Sequence, residues 1–291
     1  VRSIASALTP ITNFKPLSKM TGVKVLWLSY TAITDLSPLA PMKNLQDLTL
    51  GWTKVKDVTP LGRLPALRDL FLGYTKVVDI SPLKGCKRLE KLMISNTKIG
   101  NLRAVGSMKA LTQLYCGECM SLKQLKGIGG ATNLRLLYLG KTPVANIDEV
   151  AKCKNLEEFR APHSGVSSTK PLASLTNLKK VDLSHTRISE IDGLSSHPKL
   201  ETLSLTKTGV TSLLPLKNSK NLVELDLRES PVRSLKGLEG AKNLVRLYIS
   251  NTKVHDVTPL MKLKKLEILG IDNCKIPRKQ IRKLQKALPK H

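Results

Sequence analysis

Residues 45–66 read LQDLTLGWTKVKDVTPLGRLPA, and the same spacing of apolar residues recurs along the whole chain. If Leu45 is position 1 of this segment, then Leu48 is position 4 and Leu50 is position 6. Thirteen segments align on this pattern, and they begin at Val1, Val23, Leu45, Leu67, Leu89, Leu111, Leu134, Leu156, Leu178, Leu200, Leu222, Leu244 and Leu266. Every step is 22 residues except the 23-residue step from Leu111 to Leu134. The chain is therefore a tandem array of one short unit.

A fixed period of this length, with leucines at positions 1, 4 and 6, is typical of leucine-rich repeats. The predicted fold class is an α/β repeat solenoid. We expect a parallel β-sheet on the concave face and short 3₁₀ or irregular helical returns on the convex side. Proline suits the first turn of such a return because it fixes φ and lacks a backbone donor. The return prolines are Pro38, Pro60, Pro82, Pro171, Pro215 and Pro259.

The unbroken period predicts a single elongated domain over residues 1–275, with about 12 repeats of 22–23 residues. Residues 276–291 depart from the pattern and place Ile281, Leu284 and Leu288 at helical spacing, which predicts a C-terminal capping helix. The first segment is already in phase at Val1. A solenoid end needs a polar cap, so we expect an N-terminal cap, and any targeting signal, to precede Val1.

Several functional classes lack support in the sequence. No run approaches the roughly 20 apolar residues of a membrane span, and no phosphate-binding loop or nucleophile motif is present. The five scattered cysteines favour a reducing intracellular compartment over secretion. Cys116 and Cys119 form a single CxxC without a second ligand pair, and His163 and His185 line an open surface. We therefore predict no metal, no cofactor and no catalytic activity.

The aromatic residues concentrate at two repeat positions. Positions 3 and 5 of each strand should point away from the core onto the concave face, and positions 7 and 8 should lie along its rim. Eight of the ten aromatic residues occupy position 5 or position 8: Trp27, Phe71, Tyr115, Tyr138 and Tyr248 at the former, and Tyr30, Trp52 and Tyr74 at the latter. The other two, Phe14 and Phe159, fall at core positions. The sequence thus predicts an aromatic patch in the N-terminal third, centred on Trp52.

Three interpretations of this patch stay open. The rings could stack on each other and stabilise the sheet, because cross-strand aromatic pairs contribute roughly 0.2–1 kcal/mol each. Alternatively, they could anchor a partner protein, with Asp47 and Asp69 as flanking polar contacts, since tryptophan and tyrosine dominate binding hot spots. A carbohydrate or another small ligand could stack on the same rings. We favour the partner protein, because so large an exposed aromatic cluster exceeds what a monomer normally leaves in contact with water.

The net charge of +26 suggests a second kind of partner. It does not come from the concave face, where positions 3 and 5 carry six acids and four bases. Six bases share position 10: Lys54, Lys76, Lys98, Arg187, Lys253 and Lys275. A stripe of this kind can follow phosphates, so the alternative prediction is an RNA or DNA contact on the basic edges, in a structural component or assembly factor of a ribonucleoprotein.

Three segments carry a family resemblance: TAITDLSPLAPMKNLQDLTL at 31–50, TKVKDVTPLGRLPALRDLFL at 53–72 and TKVVDISPLKGCKRLEKLMI at 75–94. They resemble the internalin-like, 22-residue class of leucine-rich repeats. The resemblance implies a solenoid with 3₁₀-rich returns and a protein partner on the concave face, and it raises a cell-surface adhesin as a further alternative. Internalins usually carry asparagine where this chain has threonine, as at Thr31 and Thr53. In that respect the chain looks closer to leucine-rich repeats of trypanosomatid protozoa.

Overall fold

The computed structural model describes residues 3–5, 12–195 and 197–288. Each described strand is three residues long, and most strands lead through a tight turn to a 3₁₀ segment. The chain forms two compact units, unit 1 over Val1–Val144 and unit 2 over Ala145–His291.

Unit 1 contains seven described strands: β1 Ser3–Ala5, β2 Val25–Trp27, β3 Asp47–Thr49, β4 Asp69–Phe71, β5 Lys91–Met93, β6 Gln113–Tyr115 and β7 Leu136–Tyr138. Strands that follow each other in sequence pair in parallel, and equivalent repeat positions face each other, as Leu48 faces Leu70. The returns contain 3₁₀ segments at Lys15–Lys19, Ser37–Leu39, Thr59–Arg63, Ser81–Gly85, Arg103–Ser107 and Ile128–Gly130. The repeat period therefore sets the strand register directly.

Unit 2 repeats the arrangement with β8 Glu158–Arg160, β9 Lys180–Asp182, β10 Thr202–Ser204, β11 Glu224–Asp226, β12 Arg246–Tyr248 and β13 Ile268–Gly270. These strands also pair in parallel and in sequence order. Its 3₁₀ segments are Asp148–Lys152, Lys170–Leu172, Asp192–Leu194, Leu214–Asn218 and Thr258–Lys262. The predicted strands and returns of the solenoid are confirmed.

The core lies between the sheet and the 3₁₀ segments. Leu45, Leu48 and Leu50 of one repeat are at most 1% exposed. All six return prolines stand in the first turn of a 3₁₀ segment, as predicted. Phe159 is fully buried, whereas Phe14 is only half-buried.

A buried threonine closes the turn after most strands. Thr53 Oγ1 donates a hydrogen bond to the carbonyl oxygen of Leu50 at 2.7 Å, and equivalent bonds of 2.6–2.7 Å recur from Thr31, Thr75, Thr97, Thr142, Thr186 and Thr208. A buried carbonyl without a partner would cost about 1–3 kcal/mol, so the hydroxyl replaces a missing backbone donor. This contact gives the threonines at position 9 a structural role.

The C-terminal helix α1 extends over Arg278–Ala287, inside the predicted segment 276–291. Leu284 is buried, and Gln280 Oε1 accepts a hydrogen bond from the backbone N–H of Val257 at 2.9 Å. The predicted C-terminal helix is therefore present, and it packs against the 3₁₀ segment Thr258–Lys262 of the repeat that begins at Leu244. The single domain over 1–275 stays a prediction, and the predicted N-terminal cap lies outside the described residues.

Candidate functional site

Positions 3 and 5 face away from the core on the surface we call the open face. Trp27 at position 5 is 49% exposed, while its neighbour Leu26 is fully buried. At position 8, the exposed fractions are 49% for Tyr30, 41% for Trp52 and 39% for Tyr74. The aromatic patch, which we define as Trp27, Tyr30, Trp52, Phe71 and Tyr74, therefore presents four large exposed rings on unit 1.

Tyr30, Trp52 and Tyr74 form a continuous ring stack. Trp52 lies between the two tyrosines, with ring centroids 4.7 Å from Tyr30 and 4.4 Å from Tyr74 and interplanar angles of 10° and 7°. The backbone fixes this spacing, because each of the three N–H groups donates to the position 7 carbonyl of the next repeat at 2.9–3.0 Å. The ring row that the register predicts is therefore present.

The three stacked residues adopt a backbone conformation that aromatic residues rarely tolerate. Their φ angles are 61°, 55° and 59°, in the left-handed region. For a residue with a Cβ this conformation costs roughly 1–2 kcal/mol. The other nine residues at position 8 with a described backbone adopt the same conformation, so the turn imposes this strain whatever side chain is present.

Phe71 packs flat against the backbone of two glycines. A Cβ placed on Gly51 or on Gly73 would overlap the Phe71 ring. The ring also meets Trp52 edge-on, with centroids 5.4 Å apart and an interplanar angle of 72°. Tyr138 uses Gly117 and Gly140 in the same way. Small residues at position 7 thus act as shelves that hold a position 5 ring against the sheet.

Gly51→Ala is expected to displace the Phe71 ring and to raise acrylamide quenching of Trp52 fluorescence, measured with Trp27→Phe as the background. The added methyl overlaps only this ring, so the cost in stability should be about 1 kcal/mol. Gly100→Ala is the control, because its Cβ would meet no atom closer than the Ser121 carbonyl at 3.6 Å. Unchanged quenching in Gly51→Ala would contradict this placement of Phe71.

The remaining predicted aromatics lie outside the patch. Tyr115 and Tyr138 are half-buried and adjoin each other, with centroids 6.5 Å apart, and Lys91 Nζ lies 5.8 Å from the Tyr115 centroid. Tyr248 belongs to unit 2, where the Arg228 guanidinium lies 5.4 Å from its ring centroid. These three tyrosines therefore do not join the ring stack.

The predicted flanking acids lie side by side on the open face of unit 1. Asp47 and Asp69 face each other across β3 and β4. Partial burial raises the pKa of the Asp47 carboxyl, and the charge of Asp69 raises it further, while Arg68 opposes both effects. These two acids therefore repel each other.

The predicted basic residues are all exposed, but they do not form one ridge. Lys54, Lys76 and Lys98 occupy consecutive repeats of unit 1, and we call them the basic row. Hydrogen bonds from the N–H groups of Lys76 and Lys98 to the preceding repeat, at 2.9 and 3.1 Å, keep this row in register. Met120 and Pro143 occupy position 10 in the next two repeats. Arg187, Lys253 and Lys275 lie in unit 2.

A histidine pair lies on unit 2. The rings of His163 and His185 stack with centroids 3.9 Å apart. Partial burial lowers the pKa of His185, and so do the nearby His163 and Lys207. Within the described residues, no three histidine, cysteine or acidic side chains are close enough to hold a metal ion. In the same part of the chain, no helix is long and apolar enough to cross a membrane.

Sequence reasoning missed the left-handed backbone at position 8. Twelve residues there have φ between 55° and 62°: Tyr30, Trp52, Tyr74, Asn96, Glu118, Lys141, His163, His185, Lys207, Glu229, Asn251 and Asn273. Asparagine is several-fold enriched in this conformation, so Asn96, Asn251 and Asn273 could have indicated the left-handed backbone. It also missed the glycine shelves at position 7, although Gly51 and Gly73 precede two stacked rings.

The class that this fold defines is the leucine-rich-repeat solenoid, and solved structures that share the fold include an internalin. An internalin, inlF, from Listeria monocytogenes matches with a TM-score of 0.92 and 23% identity over 99% of this chain and 84% of its own. A leucine-rich-repeat protein of Leptospira interrogans matches with a TM-score of 0.84 and 20% identity over 98% and 82%.

A plant peptide hormone receptor in complex with RGF2 matches with a TM-score of 0.74 and 16% identity over 99% of this chain and 54% of its own. The sequence matches no protein-family model and no curated protein. Such low identities establish the fold alone. The likeness to protozoan repeats stays a prediction.

Proposed function

We propose that this chain is a non-enzymatic protein-recognition module that binds a partner through the aromatic patch of unit 1. The observation that carries this proposal is the exposure of Trp27, Tyr30, Trp52 and Tyr74, each at least 39%, in a protein with only ten aromatic residues. Rings of this kind supply most of the free energy of many protein interfaces. The plant receptor with the same fold was solved with its peptide, which supports recognition on this scaffold.

The energetics of the ring stack support the same proposal. Position 8 has the same backbone conformation whether it carries tryptophan, glutamate or asparagine. The solenoid therefore does not need rings there, and the rings incur conformational strain that asparagine largely avoids. Their exposed edges and the exposed Trp27 ring offer apolar area that a partner would bury.

The direct test is capture of partners from an extract of the native cells, followed by mass spectrometry. Wild type is compared with the triple variant Tyr30→Asn, Trp52→Asn and Tyr74→Asn, which keeps a residue suited to the left-handed backbone at each site. We expect one or a few proteins to be retained by wild type and lost from the variant, both with and without nuclease. Identical protein sets from the two would reject the aromatic patch as the binding site.

The basic row favours a second candidate, an RNA or DNA contact on the edge of unit 1. Lys54, Lys76 and Lys98 are exposed, and none forms an ion pair with another described residue. Three phosphate contacts predict a fall in affinity of about 40-fold between 50 and 200 mM salt. A flat salt response, or capture that survives nuclease, would eliminate this candidate.

The cysteines support an intracellular, reducing compartment for the module. All five are free thiols, and Cys86, Cys116, Cys119 and Cys153 are buried. Burial raises the pKa of Cys86 and of Cys153 to about 11, so neither is a reactive thiolate at neutral pH. Thiol titration of protein isolated from native cells should find all five reduced. A disulfide would instead favour the surface adhesin alternative.

A further inference from the structure

Two carboxylates on the open face of unit 1 have no cationic partner, although the chain contains 48 lysines and arginines against 22 acids. The other four open-face acids each have a partner: Glu158 with Arg160, Glu224 with Arg246, Asp226 with Arg228, and Asp182 with Ser184. Asp47 and Asp69 form no ion pair or side-chain hydrogen bond with another described residue. Among the described residues, these two open-face acids are therefore unpaired, although Lys91 faces Asp69 on the next strand.

Two cations adjoin these acids, and neither forms an ion pair with them among the described residues. Lys91 faces Asp69 across β4 and β5, with its Nζ 5.8 Å from the Tyr115 ring centroid, and Arg68 precedes Asp69 in the chain. Arg68 lowers the pKa of Asp47, but its guanidinium lies 3.6 Å from the carboxylate of Glu90. The burial of Asp47 and the charge of Asp69 outweigh Arg68, since the pKa of Asp47 is raised on balance. A cation that arrives with a partner would remove the repulsion between the two carboxylates and would gain a charge-assisted contact with each.

The aromatic patch adds apolar surface beside these acids. The strands β2, β3 and β4 place Trp27, Thr49 and Phe71 opposite each other. Thr49 and Phe71 lie two residues after Asp47 and Asp69 on their strands. Adjacent strands are about 4.8 Å apart, so the backbones of Trp27 and Phe71 are separated by about 10 Å, with the short Thr49 side chain between them. Phe71 lies against Gly51 and Gly73, and Trp27 is 49% exposed, so the short Thr49 side chain leaves apolar surface open beside the acids. The stem of an arginine or a lysine packs on this surface in the complex that we propose.

We propose that the open face of unit 1 binds a basic segment of its partner, with an arginine or lysine side chain above Thr49 and its charged group against Asp47 and Asp69. This inference rests on the proposed function and specifies the chemistry of the partner. The ring faces attract the same cation, and a guanidinium can meet a carboxylate through two parallel hydrogen bonds. Because the protein as a whole repels cations, charge complementarity confined to this face makes the site selective.

The probe for this proposal is nona-arginine, acetylated and amidated at its ends, with nona-glutamate as the probe of opposite charge. The only two tryptophans, Trp27 and Trp52, lie in the aromatic patch, so intrinsic fluorescence reports on this site without a label. At physiological ionic strength, about 0.15 M, nona-arginine should shift the emission and saturate. Asp47→Asn with Asp69→Asn should weaken its binding about tenfold or more.

The matched control is Asp35→Asn with Asp57→Asn, which raises the net charge equally but lies in the turns. Asn101 and Asn146 occupy the equivalent repeat position and accept the same local backbone hydrogen bond, so these substitutions preserve the turn. Nona-arginine affinity should stay within about twofold of wild type. Circular dichroism melts should show that both double variants are folded.

Three results would overturn the inference: no fluorescence response to nona-arginine, an equal or larger response to nona-glutamate, or equal weakening by both double variants. The native partner separates this failure from failure of the proposed function. If its capture is lost in the position 8 triple variant but not in Asp47→Asn with Asp69→Asn, the proposed function stands and the basic-segment inference falls. If the triple variant retains the partner, the proposed function fails as well.

Discussion

Trp52→Asn is expected to weaken partner binding by about 2 kcal/mol or more, roughly 30-fold, while leaving the free energy of unfolding unchanged or slightly higher. The binding loss follows from the central place of Trp52 in the ring stack, where it contacts Tyr30, Phe71 and Tyr74. The stability should not fall, because asparagine suits the left-handed backbone at φ 55° better than tryptophan does. Calorimetric titration with the captured partner, together with thermal unfolding, measures both quantities.

His163→Asn is the matched control for this substitution. It removes a ring at the same repeat position and from the same backbone conformation, but on unit 2, outside the aromatic patch. Partner affinity should be unchanged. A clear loss of stability in Trp52→Asn with full retention of binding would show that the ring stack is a structural element, and the proposed function would then lose its main support.

Phe159→Ala should produce the opposite result, with a loss of about 3–5 kcal/mol in the free energy of unfolding. Phe159 is fully buried on β8 and is the largest of the buried side chains. Its removal leaves a cavity that the leucines around it can fill only in part. The measurement is urea unfolding followed by circular dichroism, with the slope of the transition checked against wild type.

Phe159→Leu is the control for the cavity, because the other twelve repeats carry leucine, valine or isoleucine at this position. It should cost less than half as much as alanine. A loss below about 1 kcal/mol in Phe159→Ala would mean that the repeat collapses around the vacancy, and that the core is less rigid than its burial indicates.

The scaffold could be predicted from the sequence because a 22-residue period leaves little freedom. Leucine at positions 1, 4 and 6 alternates with residues at positions 3 and 5, and this alternation alone assigns Leu48 to the core and Asp47 to the open face. Stacking of identical units then sets the strand register, so Tyr30, Trp52 and Tyr74 had to form a row. The exposure of the aromatic patch follows from the same periodicity.

The finer features of the site depend on local backbone and side-chain geometry that periodicity does not encode. Nothing in the spacing shows that Phe71 lies flat on Gly51 and Gly73, because this requires the χ angles of the ring. Likewise, the sequence gives only the net charge of the face, whereas the structure shows which acids form ion pairs. The lack of an ion pair at Asp47 and Asp69 depends on side-chain positions, which the repeat pattern does not give.

The left-handed backbone at position 8 also has a consequence for how such a chain can change. A ring, an imidazole, a carboxylate, an ammonium or an amide stands at this position in different repeats without altering the conformation beneath it. Mutations at position 8 can change the binding specificity of the surface with little effect on the fold. Position 8 therefore tolerates many side chains, and Asn96→Trp should extend the ring stack by one repeat without changing the backbone of the array.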